Sequence, residues 1–140
     1  VQDEVNLLRA SHLSENKNKF KFMARSPLAT GILSKNFNEN RRYYKNDYRF
    51  RWLRGSRKKN IIKQKKLLIK IFGNNLTTVS YSYLFFNKNI DKIIFGLKNV
   101  KQVKNLLEFK NLKKINLYKI KQYRNLYDKK FGFSDNDEVY

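Results

Sequence analysis

Residues 41–59 read Arg-Arg-Tyr-Tyr-Lys-Asn-Asp-Tyr-Arg-Phe-Arg-Trp-Leu-Arg-Gly-Ser-Arg-Lys-Lys, and this stretch constrains the chain more than any other. Guanidinium groups alternate with flat rings, and Asp47 is the single acid. Six of the nine arginines fall here: Arg41, Arg42, Arg49, Arg51, Arg54 and Arg57. Elsewhere the chain prefers Lys, so the Arg density is local. In an extended chain Tyr48, Phe50 and Trp52 fall on one side and Arg49 and Arg51 on the other. The segment therefore reads as an extended arm or edge strand. Guanidinium forks grip phosphate and stack on rings, and aromatic faces offer platforms to unpaired bases.

The net charge of the chain has the same sign as this stretch. The 140 residues carry a formal net charge of +21, and residues 41–70 contribute +12 of it. A free compact monomer so charged repels itself, and a polyanionic partner relieves the repulsion. An ordinary charge run reads as a solvated face. Here the single sign, the preference for Arg and the interleaved Tyr43, Tyr44, Tyr48, Phe50 and Trp52 favour a binding surface. RNA is favoured over DNA, because no helix-turn-helix, zinc or zipper pattern occurs. No window of spanning length is free of charge and amide, so no membrane span is expected. No amphipathic segment has the purely apolar face of a strong membrane-surface binder.

Other chemistries find little in the sequence. With no Cys, disulfides, thiol catalysis and zinc fingers are excluded. His12 is the only histidine and reads as an ordinary polar position. Gly is too scarce for a phosphate-cradling loop, and neither GxxxxGK[ST] nor GxGxxG occurs. Between residues 16 and 127 the acids are Glu39, Asp47, Asp91 and Glu108, widely spaced for acid–base or two-metal work. The expectation is no enzyme, no catalytic residue, no metal and no cofactor.

The pattern predicts an α+β chain: a small compact region of short helices with one or two strands, plus an extended basic and aromatic N-terminal arm. Residues 1–55 form the arm with a short helix over 3–14, residues 56–127 the compact region, and residues 128–140 an acidic tail. Lys19-Phe20-Lys21-Phe22 suits a short strand within residues 16–23, and residues 24–40 read as loop. The clearest helix is 57–72, capped by Ser56 and ended by Gly73. Its apolar stripe is Ile61, Ile62, Leu68, Ile69 and Phe72. Residues 76–86 alternate as a strand would, although a helix stays open. Short helices are predicted over 89–97 and 100–109. Residues 112–127 fit either a helix or a strand.

As a whole the chain resembles an organellar ribosomal protein, in particular a mitochondrial one. Small size, high basicity, absence of Cys and an arm on a compact region carry the resemblance. The abundance of Lys, Asn, Phe, Ile and Tyr, which make up half of the chain, marks an A/T-rich genome such as organelles carry. Residues 89–116 are also similar to the αL RNA-binding element of the small-subunit ribosomal protein four family. Asn89-Ile90-Asp91, the basic helix from Lys101 to Leu107 and the turn Asn111-Leu112-Lys113-Lys114-Ile115-Asn116 carry that likeness. Leu112 stands where the family's turn has Gly, and the linking strand is missing.

The resemblance implies a structural constituent of a mitochondrial ribosome in the matrix, with rRNA and neighbouring ribosomal proteins as partners. Arg41, Arg42, Arg49, Arg51, Arg54 and Arg57 would clamp phosphates. Tyr44, Tyr48, Phe50 and Trp52 would stack on bases, and Lys58, Lys59, Lys63 and Lys66 would extend the contact along a helix. Two rivals remain: a matrix-side accessory subunit of a respiratory or ATP synthase complex, and an intron-associated nucleic-acid-processing protein.

Overall fold

The computed structural model describes residues 2–9, 21–107 and 112–131, with side chains as far as Tyr127. His12 and residues 132–140 of the expected acidic tail lie outside the described residues. The architecture is mixed α+β. Three short strands, β1 (Gln2–Glu4), β2 (Met23–Arg25) and β3 (Lys92–Ile94), form one sheet. Among the described residues five α-helices accompany it: α1 (Arg49–Trp52), α2 (Gly55–Phe72), α3 (Leu76–Phe85), α4 (Val100–Leu107) and α5 (Leu117–Phe131).

The sheet order is β1-β2-β3 and both pairings are parallel. Gln2 sits opposite Met23, and Met23 opposite Lys92; Glu4, Arg25 and Ile94 close the carboxyl ends together. Parallel neighbours need crossover connections, and α1, α2 and α3 all lie between β2 and β3.

Helix α2 matches the predicted 57–72 closely. Gly73, at φ 86°, ends it, and its N–H bonds the Ile69 carbonyl at 2.8 Å. The start differs: Arg54, extended at φ −143°, precedes the first turn, and Ser56 is helical rather than the cap. Ile61, Gln64, Leu67 and Leu68 are its buried residues, and Ile69 and Phe72 pack at the edge. The Gln64 amide donates to the Tyr127 hydroxyl at 3.3 Å, tying α2 to α5.

Three expectations change. Residues 76–86 are helix α3, not a strand. Leu76, Ser80 and Leu84 are buried at a spacing of four, with Val79 and Tyr83 beside them, so a helical stripe coexists with the alternation. Asn75 caps the helix through its side-chain oxygen, which accepts the Thr78 N–H at 3.3 Å. Residues 92–94 are strand β3, not part of a helix over 89–97. Pairing with β2 and the bond from the Phe22 N–H to the Asp91 carboxylate, 2.6 Å, outweigh the local helical spacing. Residues 3–14 open with β1 and a 3₁₀ turn at Leu7–Arg9.

The other segments follow more simply. Residues 21 and 22 are not strand and residues 10–20 lie outside the description; β2 falls at Met23–Arg25, largely in the stretch expected as loop, because it pairs with β1 and β3. Helix α4 matches its prediction as far as Leu107, and the ambiguous 112–127 stretch contributes α5.

The extended reading of residues 41–54 also fails in its second half. Residues 45–48 turn, α1 follows, and the Leu53 N–H closes onto the Arg49 carbonyl at 2.9 Å. A turn of helix puts Trp52 and Leu53 into the core while Phe50 and Arg51 face solvent. The main core joins Leu7, Leu8, Ile32, Leu33, Trp52, Leu53, Ile61, Leu68, Leu76, Ile120 and Tyr123. A smaller cluster of Val5, Ala24 and Leu84 packs with Phe22 and Ile93.

Candidate functional site

A cleft of about 710 Å³ opens beyond the carboxyl ends of β2 and β3. Arg25, Ser26 and Pro27 form one wall as the chain leaves β2, and Ile94, Phe95, Gly96 and Lys98 form another as it leaves β3. Phe37, Arg41, Tyr43, Asp47 and Tyr48 come from the loop and turn before α1, Arg49 from the start of α1, Tyr81 from α3 and Gln102 from α4. Parallel strands end here with their connections splaying apart, which is where α/β sheets form ligand crevices. The volume lies within the usual range for small-molecule sites.

The loop after β2 holds unusual backbone. Ser26, Ala29 and Thr30 have φ of 56°, 46° and 55°, and Gly31 has 95°. Non-glycine residues in this region cost on the order of 1 kcal/mol or more each, so surrounding contacts must hold them. Arg49 supplies one, its Nη1 donating to the Thr30 carbonyl at 3.4 Å. Arg49 is itself fixed on two sides. Its Nε and Nη2 donate to the Asp47 carboxylate at 2.9 and 2.6 Å. Its guanidinium lies 4.5 Å from the centre of the Tyr43 ring.

The electrostatics follow from this geometry. The Arg49 hydrogen bonds hold the Asp47 carboxyl down at about 2, against the opposing effect of burial. The same pairing raises the Arg49 guanidinium. Burial and then the charge of Glu4 push the Tyr48 hydroxyl up, while a Thr30 hydrogen bond and the charges of Arg25 and Arg49 pull the other way. Tyr48 therefore keeps its proton through neutral pH. Arg25 approaches Glu4 at 3.7 Å, a loose bridge. Arg41 lies 5.6 Å from the Tyr43 ring centre. With Asp47 taken up by Arg49, the cleft keeps a positive balance through Arg25, Arg41 and Lys98.

The sequence-expected surface divides in two. Arg41, Tyr48 and Arg49 reach the cleft. Trp52 is buried, with its ring centroid 5.5 Å from that of Tyr48. Arg42, Tyr44, Phe50, Arg51, Arg54, Arg57, Lys59, Lys63 and Lys66 are exposed and Lys58 half-buried, away from the cleft lining. Arg25, Thr30, Tyr43, Tyr81, Lys98 and Gln102 were not singled out as site residues. Only the Asp47–Arg49 spacing offered a local signal, a lone acid two residues from an arginine.

A parallel three-stranded sheet with a basic, tyrosine-lined crevice beyond its carboxyl ends places the chain in the mixed α+β class. The particular assignment comes from the sequence profile of the aldo/keto reductase family, which matches residues 3–128. The chain belongs to the aldo/keto reductase family. No curated protein matches it.

This membership overturns the ribosomal reading, and with it the expectations of an rRNA partner, ribosomal neighbours and a non-catalytic role. The likeness to the ribosomal protein four family falls too, and neither rival is supported. Basicity reports the sign of a partner and not its class, and ring–guanidinium interleaving serves the protein's own packing as readily as it serves RNA. Arg49 on Tyr43 and Tyr48 against Trp52 are intramolecular uses of it. Among the described residues no helix is long and apolar enough to cross a membrane.

Proposed function

We propose that this chain is a carbonyl-reducing oxidoreductase and that the cleft beyond β2 and β3 is its reaction site. The position of the cleft carries the reading: a family named for aldehyde and ketone reduction meets a ligand-sized crevice at the ends of parallel strands. Reduction of a carbonyl adds a hydride to carbon and a proton to oxygen. Side chains hold no hydride, so a nicotinamide or flavin nucleotide would supply it when bound.

The lining residues suit such a group. Arg25, Arg41 and Lys98 offer cations to its phosphates, and Tyr43 and Tyr48 offer ring faces. Tyr48 is the proton donor in this reading. Its hydroxyl stays protonated, Thr30 orients it, and Arg25 and Arg49 stabilise the phenolate left behind. The Asp47–Arg49 pair holds the Thr30 loop against this hydroxyl and acts as a positioning device.

The test is reduction of a simple aromatic aldehyde by the purified chain, with consumption of reduced nicotinamide nucleotide followed by absorbance. Tyr48→Phe should lower kcat by about 10²-fold or more with little change in nucleotide affinity. Unchanged turnover in Tyr48→Phe removes Tyr48 from the chemistry. Absence of turnover with both nicotinamide and flavin donors refutes the reading.

A further inference from the structure

Helix α4 follows β3 at the rim of the cleft, and among the described residues it buries none of its own. Val100, Val103 and Leu107 are 68, 41 and 62 % exposed, at successive positions on one side of two helical turns. Exposed Leu97 precedes the helix in sequence, and before it Phe95 stacks near exposed Phe85, with ring centroids 6.1 Å apart. The helix is about 12 Å long, and the exposed apolar residues of the segment extend back from it to Leu97. Its border is cationic: residues 85–107 contain Lys88, Lys92, Lys98, Lys101 and Lys104 and one acid, Asp91. Asp91 already accepts the Phe22 N–H.

Whatever covers this strip must be anionic and apolar together. A second copy fails the first condition, because each chain carries +21. A nucleic acid fails the second, because phosphates reward the lysines and leave Val100, Val103 and Leu107 in water. The sequence pattern predicts no segment with the apolar face of a strong membrane-surface binder, but the exposure of Val100, Val103 and Leu107 reverses that expectation, and we propose that the α4 face, with Leu97 and Phe85, seats on an anionic lipid surface. Apolar side chains enter the headgroup boundary, and the lysine stems lie along it with their ammonium groups among the phosphates. This inference is independent of the reaction assigned to the cleft.

The test is flotation of the full chain with phosphatidylcholine vesicles and with mixed phosphatidylcholine–phosphatidylglycerol vesicles. Binding is expected to the mixed vesicles only. The paired change Val103→Gln and Leu107→Gln keeps the charge and should lower partitioning about tenfold or more. Lys101→Gln and Lys104→Gln should each lower it about fivefold.

The chain has no Cys, so Leu107→Cys takes a single environment-sensitive fluorophore. Its emission should shift to the blue with mixed vesicles alone. Buried Trp52, read by its own emission, reports that each variant is folded. Equal binding by the Gln pair shows that net charge alone drives adsorption, and overturns the proposal. A blue-shifted probe in the free protein shows the face covered by the chain itself, and also overturns it. So does a shift with an acidic amphipathic peptide and none with vesicles.

Discussion

Asp47→Asn removes the charge that fixes Arg49 while keeping the shape of the side chain. The lowering of the Asp47 carboxyl from 3.8 to about 2 corresponds to about 2 kcal/mol. The Asp47 side chain is 26 % exposed, and solvent screening reduces this to about 1 kcal/mol at neutral pH. In urea, which leaves ion pairs unscreened, a slope of about 2 kcal/mol per molar gives a midpoint about 0.5 M lower. Trp52 is the only tryptophan and is buried against Tyr48, so its fluorescence follows the transition and the state of the site.

The pH dependence gives a second reading of the same pair. A carboxyl depressed by folding contributes fully above its unfolded value of 3.8, and the contribution is lost as pH falls through the folded value of about 2. Wild type and Asp47→Asn should therefore differ at pH 7 and converge near pH 2. Equal midpoints at pH 7, or a gap that persists unchanged at pH 2, would refute the reasoning.

Three further substitutions probe the frame around the cleft. Gly73→Ala should cost about 1–3 kcal/mol in urea unfolding; φ 86° and ψ −179° admit little but glycine, and open space around the site makes the cost purely conformational. Leu68→Ala, fully buried in the main core, should lose about 3–5 kcal/mol in the same assay. Asn75→Ala removes the α3 cap and should cost about 1 kcal/mol, whereas Asn75→Ser should retain most of it.

The helical stretches were legible where a stripe and a stop signal agreed. The α2 stretch carries Ile61, Leu68 and Gly73, and α4 carries Val100, Val103 and Leu107, so both could be read from spacing. Residues 76–86 show why spacing alone misleads. Thr77, Val79, Tyr81, Tyr83 and Phe85 alternate, yet Leu76, Ser80 and Leu84 define the buried stripe; which set is used depends on packing against α2. Ile93 and Ile94 could serve a helix or a strand until β2 provided a partner for pairing. The cleft was least legible. Its walls come from segments near residues 25–31, 41–49 and 94–102, and only chain topology brings them together.

By itself the sequence determined the positive charge, the freedom from cysteine chemistry, the mixed α+β character and the length and end of α2. Those follow from composition and from local periodicity, which need no distant partner. Tertiary structure decided that Trp52 is core and not a stacking surface, that Asp47 and Arg49 support a strained loop, and that the ends of β2 and β3 frame one crevice. Each of these depends on groups far apart in sequence meeting in space, where burial, pairing and like-charge repulsion outweigh local preference.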